Sequence, residues 1–318
     1  MNATATNRTL VTNASLPVPA LLGSLLVPVD LSPNSDRVLS RVALLPLADD
    51  ADVTLLHVVP ESLAVAEQRE AARDADQALA EEARHLRNSL PKNVRIKTLV
   101  KVGSSAKEIG ATATQRAPEL IVMGRGGGRT LRDALLGSNA ERVIRHAKLP
   151  VLVVRRPART AYRRPALALD LDHAAHEVVR LMLRVLPLPR PPVDVVHAYE
   201  IPYQGMIYPS LTHDEIATMK AEFQLRANSD LTKLLSTGLA AANIPVAQAP
   251  YWRKHVHHGP PRSVVEKAVK KANTDLLVLG TRSNSGSAFV FLGTVAGDLL
   301  REVNCDVLVV PPRKADES

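Results

Sequence analysis

The stretch from Leu120 to Val154 reads LIVMGRGGGRTLRDALLGSNAERVIRHAKLPVLVV, and a related stretch from Leu276 to Val310 reads LLVLGTRSNSGSAFVFLGTVAGDLLREVNCDVLVV. The two align without a gap when Gly103 is placed on Gly259. In this alignment the apolar runs, the glycines and the segments between them all coincide. Chance similarity between short apolar runs would not produce such a match. The chain therefore contains two copies of one structural unit.

Each unit alternates short apolar runs with helical patterns. The first unit begins with LLVPVD, ending at Asp30, and the second with ALALD, ending at Asp170. Continuous apolar runs are typical of parallel strands covered on both faces, and the stretch from Ala66 to Leu90, with Pro91 beyond it, predicts a helix. The second unit has extra residues around Tyr199 to Met219, which we expect to form an irregular loop. The pattern predicts an α/β fold of two tandem, doubly wound parallel-sheet domains.

The domain boundaries follow from the same pattern. We expect a disordered tail over residues 1–20, a first domain over 21–156, a linker over 157–164, a second domain over 165–312 and a tail over 313–318. The N-terminal segment lacks the basic start of a signal peptide and runs directly into the first strand, so we do not expect it to be one.

Composition argues against several classes of protein. Mean hydropathy is -0.02 and no apolar run approaches the ~20 residues that cross a bilayer, so we expect no membrane insertion. A net charge of +8 would suit nucleic acid, but aromatic residues are only 3% and offer few stacking platforms. We therefore expect a solvated basic surface with an arginine-rich linker, and no specific nucleic-acid partner. The single cysteine, Cys305, points to a reducing compartment, and hence to the cytoplasm. Local clusters of basic residues occur at Arg155, Arg156, Arg159, Arg163 and Arg164, and at Lys267, Lys270 and Lys271.

The glycine-rich loop after the fourth strand has the chemistry of a phosphate site. Gly124 is followed by two residues and Gly127, then by nine residues and Gly137–Ser138. Glycines let backbone amides approach an anion closely, and a helix opening at Ser138 would point its free N–H groups at the same anion. The spacing fits neither the lysine-containing P-loop nor the short dinucleotide-binding fingerprint.

This spacing resembles the G-2x-G-9x-G-[S/T] signature of ATP-binding universal stress proteins. The segments VPVDLS, LLHVV with His57, KVGSSAKEI, LIVMG and LPVLVV also stand in the order of that family. The resemblance covers nearly all of the chain, twice. It implies an adenine nucleotide α-hydrolase-like fold. It also implies that the fifth strands, VLVV at Val151 and at Val307, pair within the chain as a pseudo-dimer.

The resemblance further implies ATP, with Mg²⁺, as the ligand of the first unit. Asp30 and Val58 would contact the adenine and ribose, and Met123 would border the base. The glycines and Ser138 would hold the triphosphate. Asp30 also has a simpler interpretation, as a turn or helix-capping residue. The complete predicted set is Pro28, Val29, Asp30, Val58, Met123, Gly124, Gly127, Gly137, Ser138 and Asn139.

The second unit departs from the signature at one position. Ser283 stands where the first unit has Gly127, and its Cβ restricts the backbone and crowds an anion. We expect a weaker second site, or an empty or purely structural one. The predicted second set is Asp170, Ala198, Leu279, Gly280, Ser283, Gly293 and Thr294.

Other candidate residues favour structural roles. His255, His257 and His258 are close in sequence, but strand alternation puts the first two on one face and the third on the other, with no carboxylate nearby in sequence. We expect surface histidines and no metal site, with a pH-sensitive contact or metal site as the alternative. Cys305 is interpreted as a packed residue. No common catalytic motif is present, so we expect no catalytic residues.

These observations predict a cytoplasmic stress-response protein that senses or stores adenine nucleotide with little or no catalysis. Binding would alter contacts with unidentified protein partners, and further homodimerisation is compatible with the pattern. One alternative is a scaffold that keeps the fold without nucleotide. Another is a slow ATPase, although no base or metal ligand for hydrolysis is recognisable.

Overall fold

The computed structural model describes residues 21–126, 139–171, 175–201, 211–281 and 292–312. The first unit contains β1 (Leu22–Pro28), α1 (Ser35–Val42), β2 (Leu47–Pro60), α2 (Val65–Arg87), β3 (Arg95–Gly103), α3 (Ser105–Arg116), β4 (Leu120–Gly124), α4 (Asn139–Ala147) and β5 (Val151–Val154). The second contains β6 (Pro165–Ala168), α5 (Ala175–Val185), β7 (Val193–Tyr199), α6 (His213–Ala241), a short 3₁₀ turn (Val246–Gln248), β8 (Trp252–His258), α7 (Pro261–Lys271), β9 (Leu276–Gly280), α8 (Thr294–Glu302) and β10 (Asp306–Val310).

All ten strands form one continuous sheet in the order β3-β2-β1-β4-β5-β10-β9-β6-β7-β8. Within each unit the strands are parallel, whereas β5 and β10 pair antiparallel, with Leu152 opposite Leu308. Each unit is therefore doubly wound, and the two meet through their fifth strands. The predicted fold class and the intramolecular pseudo-dimer are confirmed.

The core lies on both faces of this sheet, because the central strands are runs of apolar residues that face both sides, with Asp306 at the start of β10 as a buried exception. Leu120 and Val122 belong to one buried cluster, and Ile121 and Met123 belong to the other. Both clusters continue from the first unit into the second. This two-sided burial explains why the strands are continuous apolar runs with no alternation of polar residues.

Helix α6 begins earlier than we expected. The residues from His213 to Met219, predicted to lie in a loop, form its first two turns. Thr212 and Glu215 make a capping box, in which the Thr212 N–H donates to Glu215 Oε2 at 2.8 Å and the Glu215 N–H donates to Thr212 Oγ1 at 3.3 Å. The loop prediction is therefore wrong for these seven residues. Helix α2 closely matches its prediction and ends at Arg87.

A buried carboxylate at the start of β10 joins the two units. Asp306 Oδ2 accepts hydrogen bonds from Arg41 Nε on α1 and from the Tyr162 hydroxyl, at 3.1 and 2.8 Å. Its Oδ1 accepts from the backbone N–H groups of Arg155 and Arg156 at 2.8 and 3.2 Å. Tyr162, which belongs to the predicted linker, is buried in this contact. The predicted domain boundaries stay predictions, and the predicted tails lie outside the described residues.

Candidate functional site

A cavity of about 590 Å³ opens at the carboxyl ends of the strands of the first unit. It lies where β1 and β4 are neighbours and the chain connections leave in opposite directions, which is where open α/β sheets bind ligands. Seven of the predicted residues line it, namely Pro28, Val29, Asp30, Val58, Met123, Gly124 and Asn139. Gly127, Gly137 and Ser138 lie outside the described residues.

Asp30 follows β1 and is held by the turn into α1. Its Oδ1 accepts hydrogen bonds from Ser32 N, Ser32 Oγ and Ser35 Oγ at 3.1, 2.7 and 3.0 Å. Burial alone would raise the pKa of Asp30, but these hydrogen bonds outweigh it and lower the pKa below its ordinary value. The carboxylate is therefore ionised and fixed at the mouth of the cavity. These are the contacts of a turn residue, which is the simpler interpretation of Asp30. They do not prevent Asp30 from contacting a ligand as well.

The end of β2 presents backbone groups to the cavity. The Val29 N–H donates to the Leu56 carbonyl at 2.9 Å, so the backbone of Leu56 faces β1. Residues two apart on a strand face the same side, and Val58 therefore directs its N–H and C=O past the end of β1. His57 contributes to this opening, since its Nδ1 lies 2.9 Å from the Val29 carbonyl oxygen. A carbonyl only accepts, so the His57 ring carries a proton on Nδ1.

The part of the lining that the structure describes is positive, with one carboxylate, that of Asp30, and four arginines, Arg37, Arg125, Arg155 and Arg156. The side chain of Arg155 donates to the Val303 carbonyl, but its buried Nε has no hydrogen-bond partner among the described residues. Burial, reinforced by the charge of Arg125, lowers the pKa of Arg155 to about 10. An anion in the cavity would relieve this uncompensated charge.

Gly126, which follows β4, lies close to the first described residue of α4. It has a φ of +86°, a conformation that a side chain rarely permits, and a Cβ there would lie 3.4 Å from Asn139 Cβ. Both residues line the cavity.

A second cavity, of about 520 Å³, occupies the corresponding place in the second unit. It lies between the ends of β6 and β9, the switch point of that half of the sheet. Six of the seven predicted residues line it, namely Asp170, Ala198, Leu279, Gly280, Gly293 and Thr294. Ser283 lies outside the described residues. The predicted residues of each unit are thus brought together in one cavity wherever the structure describes them.

The family model for the universal stress protein family matches the chain twice, at residues 23–155 and 161–311. The chain belongs to the universal stress protein family. Universal stress protein G of Shigella flexneri is 35% identical over 141 residues, which are 42% of this chain and 98% of that protein. Universal stress protein A homolog 1 of Coxiella burnetii is 28% identical over 152 residues, which are 47% of this chain and 96% of that protein.

A solved structure of a universal stress protein from Archaeoglobus fulgidus DSM 4304 has the same fold over the whole tandem. It matches with a TM-score of 0.64 at 18% identity and covers 92% of this chain and 97% of that one. A putative universal stress protein from Pseudomonas aeruginosa UCBPP-PA14 matches with a TM-score of 0.62 at 19% identity, covering 92% and 94%. At these identities the likeness supports the fold alone.

The two cavities of this universal stress protein differ in charge. The described lining of the second contains two carboxylates, those of Asp170 and Glu200, and neither lysine nor arginine. With Gly103 placed on Gly259, Thr281, Pro311 and Pro312 stand where the first unit has Arg125, Arg155 and Arg156. With Asp30 placed on Asp170, Glu177 stands where it has Arg37. The backbone geometry is nevertheless kept, because His197 Nδ1 lies 2.9 Å from the Leu169 carbonyl oxygen, as His57 does at Val29.

One of the three histidines of β8, His255, lies beside a carboxylate that is distant in the sequence. His255 Nε2 is 2.7 Å from Asp194 Oδ1 on β7, and Arg253 binds the same carboxylate through two nitrogens. The rings of His255 and His257 stack, as expected for one face, and that of His258 meets Tyr199 edge-on. Among the described residues, no three His, Cys, Asp or Glu side chains are arranged to hold a metal.

None of the described helices has the length and apolar character needed to cross a membrane.

Sequence reasoning missed the arginines of the first cavity. The sequence indicates a solvated basic surface around Arg155 and Arg156, whereas both residues line the cavity and their backbone N–H groups donate to Asp306. A signal was present, since the repeat aligns Arg155–Arg156 with Pro311–Pro312 directly after the fifth strands. Arginines in the first unit and prolines at the matched positions of the second indicate that the two cavities would favour ligands of different charge.

Proposed function

We propose that the first cavity binds ATP and that the protein is an adenine-nucleotide sensor or store of the cytoplasmic stress response. One observation carries this proposal. A single cavity, at the carboxyl ends of β1 and β4, brings together the backbone groups of Val58, the fixed carboxylate of Asp30 and four arginines. The glycine spacing of the loop after β4 supports the same ligand.

Each part of the nucleotide has a complementary part of the cavity. An adenine edge carries one donor and one acceptor, which fit the C=O and N–H of Val58. The apolar side chains of Val29 and Met123 provide walls for the ring. The Asp30 carboxylate fits ribose hydroxyl donors, and the arginines fit the phosphates.

Mg²⁺ would reach the cavity on the phosphates, since this ion keeps most of its waters and is commonly held by substrate phosphates with one or two carboxylates. Asp30 is the carboxylate on the described lining, and its lowered pKa keeps it available as an oxygen donor. The ion would neutralise phosphate charge that the arginines leave uncompensated.

We further propose that turnover is slow or absent. Hydrolysis needs a group that positions or deprotonates water. On the described lining, His57 already contacts the Val29 carbonyl, and Asp30 accepts three hydrogen bonds at Oδ1 and is assigned above to the ribose and the ion, so neither is a free base for a water molecule. These contacts favour binding over catalysis, with nucleotide occupancy changing the surface offered to protein partners.

Mass spectrometry of ligand released from freshly purified, denatured protein tests the proposal. We expect ATP at about one equivalent per chain, with micromolar affinity or better by calorimetry. Recovery of no nucleotide, together with no heat of binding on adding ATP and Mg²⁺, would favour a ligand-independent scaffold. Recovery of ADP with time-dependent release of phosphate would favour a slow ATPase.

A further inference from the structure

We propose that the second unit completes the nucleotide site of the first. The C-terminal end of α8 positions the arginines that receive the phosphates, and Asn304, which follows α8, contacts the phosphates directly. This inference rests on the proposed function of the first cavity for the identity of the ligand. Its own evidence is a set of contacts that cross from the second unit to the wall of that cavity.

Asn304 belongs to the second unit, yet it lines the first cavity together with Arg155 and Arg156. On one side of it, the Val303 carbonyl accepts a hydrogen bond from the side chain of Arg155. On the other side, the Asp306 carboxylate accepts from the backbone N–H groups of Arg155 and Arg156 at 2.8 and 3.2 Å. These contacts fix Asn304 next to the two arginines. Asn304 is exposed, and its uncharged amide carries two N–H donors that suit phosphate oxygens.

Carbonyls at the C-terminal end of α8 hold two of the arginines. The last carbonyls of a helix lack partners within it, and the negative end of the helix dipole favours a cation there. Arg125, which follows β4, donates to the Arg301 carbonyl at 3.3 Å. Arg155 donates to the carbonyl of Val303, the C-cap residue of α8, and its Nε has no partner among the described residues. Both guanidinium groups are therefore placed by the second unit, and Arg155 keeps a donor for an anion.

A further contact joins α8 to α4 at the edge of the cavity. The Arg301 side chain binds Glu141 of α4 through Nε at 2.9 Å and Nη2 at 3.2 Å. Glu141 is 2% exposed, and Asn139, two residues earlier on the same helix, lines the cavity. The contact therefore fixes α4 relative to the arginines, and Arg301 is a positioning residue for the site.

Opposite charge substitutions at Asn304 test the proposal by calorimetry on the full chain with Mg²⁺. Asn304→Lys adds a positive charge beside the phosphates and should raise the affinity of the tighter ATP site at least about threefold. Asn304→Asp should lower that affinity at least about tenfold, and both variants should leave adenosine binding unchanged. Misfolding cannot produce the gain in affinity.

Asn93 provides the matched control for these substitutions. It is exposed and precedes β3, so it lies at the amino ends of the strands, opposite the cavity. Asn93→Lys and Asn93→Asp should each change ATP affinity by less than about twofold, since a surface charge at that distance is screened.

Arg301→Gln tests the positioning role. ATP affinity should fall at least about fivefold with adenosine binding unchanged, because the contact holds the part of the cavity that receives the phosphates. Arg262→Gln is the control, since Arg262 binds Glu302 and Asp298 of the same helix within the second unit. It should change ATP affinity by less than about twofold. Equal effects of Arg301→Gln and Arg262→Gln would overturn the positioning role.

The outcome at Asn304 is separable from the outcome for ATP binding itself. If the unmodified protein binds ATP and the Asn304 variants match the Asn93 variants, the proposed function stands and the shared site is overturned. If the unmodified protein binds no ATP, the proposed function fails, and inorganic tripolyphosphate becomes the probe. The same opposite shifts at Asn304 would then uphold an anion site shared by the two units, and unchanged or absent binding would overturn it.

Discussion

Arg41 and Asp306 lie 265 positions apart in the chain, yet Arg41 Nε is 3.1 Å from Asp306 Oδ2 and both side chains are almost fully buried. The ring of Tyr162 lies beneath the guanidinium, 3.8 Å from its carbon, and its hydroxyl donates to the same carboxylate. This cluster connects α1 of the first unit to β10 of the second. The ion pair, the aromatic contact and the hydrogen bonds support one another, because each remaining charge would otherwise be buried alone.

Removing the carboxylate should therefore cost much stability. Asp306→Ala leaves Arg41 buried without its partner, and we expect the free energy of unfolding to fall by about 3–5 kcal/mol. Tyr162→Phe removes one hydrogen bond and should cost about 1 kcal/mol. Urea unfolding measures both. Asp52→Ala is the matched control, since its ion pairs with Arg95 and Lys97 are exposed and should be worth less than about 1 kcal/mol. Equal losses for Asp306→Ala and Asp52→Ala would contradict this assignment.

Arg155→Gln tests the positive lining of the first cavity. The substitution removes a charge whose Nε lacks a partner, while the backbone N–H can still donate to Asp306. We expect ATP affinity to fall at least about tenfold, or about 1.4 kcal/mol, with little change for adenosine in the same cavity. Calorimetric titration measures both ligands. Arg163→Gln, outside the cavity lining, is the control, and an equal effect of both substitutions would point to general surface charge.

The stability contributed by Asp30 should depend on pH in a defined direction. Its folded-state pKa is lowered, so the ionised carboxylate is stabilised by folding at pH values above the ordinary pKa of about 3.9. This contribution is lost as the pH falls through the folded-state pKa. Asp30→Asn should lower the melting temperature at neutral pH by an amount worth no more than about 1 kcal/mol, because the group is partly solvated. The difference from the unmodified protein should shrink below about pH 4. A difference that grows on acidification would show the opposite linkage.

Gly238 on α6 lies where two helices of the second unit meet. A Cβ at this position would lie 2.7 Å from Val179 Cγ1 and 2.8 Å from Val179 Cβ on α5. Helix propensity favours alanine by about 1 kcal/mol, but overpacking costs about 1–3 kcal/mol, so Gly238→Ala should lower the unfolding midpoint. Adding Val179→Ala should relieve the overpacking and recover part of this loss. Gly297→Ala on α8, where the nearest atoms are at 3.9 Å, should be neutral or stabilising.

The thiol of Cys305 should be inert in the folded protein. Burial, with the charge of Asp306 adding to it, raises the pKa of Cys305 to about 12. A thiolate is the reactive form, so a thiol reagent at about pH 8 should modify the protein only after denaturant is added. Fast labelling of the native chain would show that this end of β10 opens readily.

The fold was predictable because its information is local. The apolar runs at Leu120, Val151, Leu276 and Val307 each mark a strand buried on both faces, and the repeat register placed them in equivalent positions. The start of α6 was missed although its local signal was present, because the threonine and glutamate of the capping box stood in a stretch interpreted as a loop.

The contacts between the two units could not be predicted from local sequence patterns. Arg301 on α8 binds Glu141 on α4 through two nitrogens, at 2.9 and 3.2 Å, and this pair depends on how β5 meets β10. A charged residue on a helix indicates a solvated surface unless the partner surface is known. The seven described residues predicted for the first site do converge on one cavity, but its arginines come from segments that meet only in three dimensions.

The antiparallel pairing of β5 with β10 has a consequence for how the protein responds to dilution. Two separate subunits joined through such an edge would part as their concentration fell, since their association is bimolecular. Here the partner strand is tethered, and its effective concentration does not change with the amount of protein in the cell. Each unit therefore always finds the same partner. Residues that the first unit needs can therefore be lost from the second unit. The assembly still contains one copy of each unit and does not become a symmetric pair of first units.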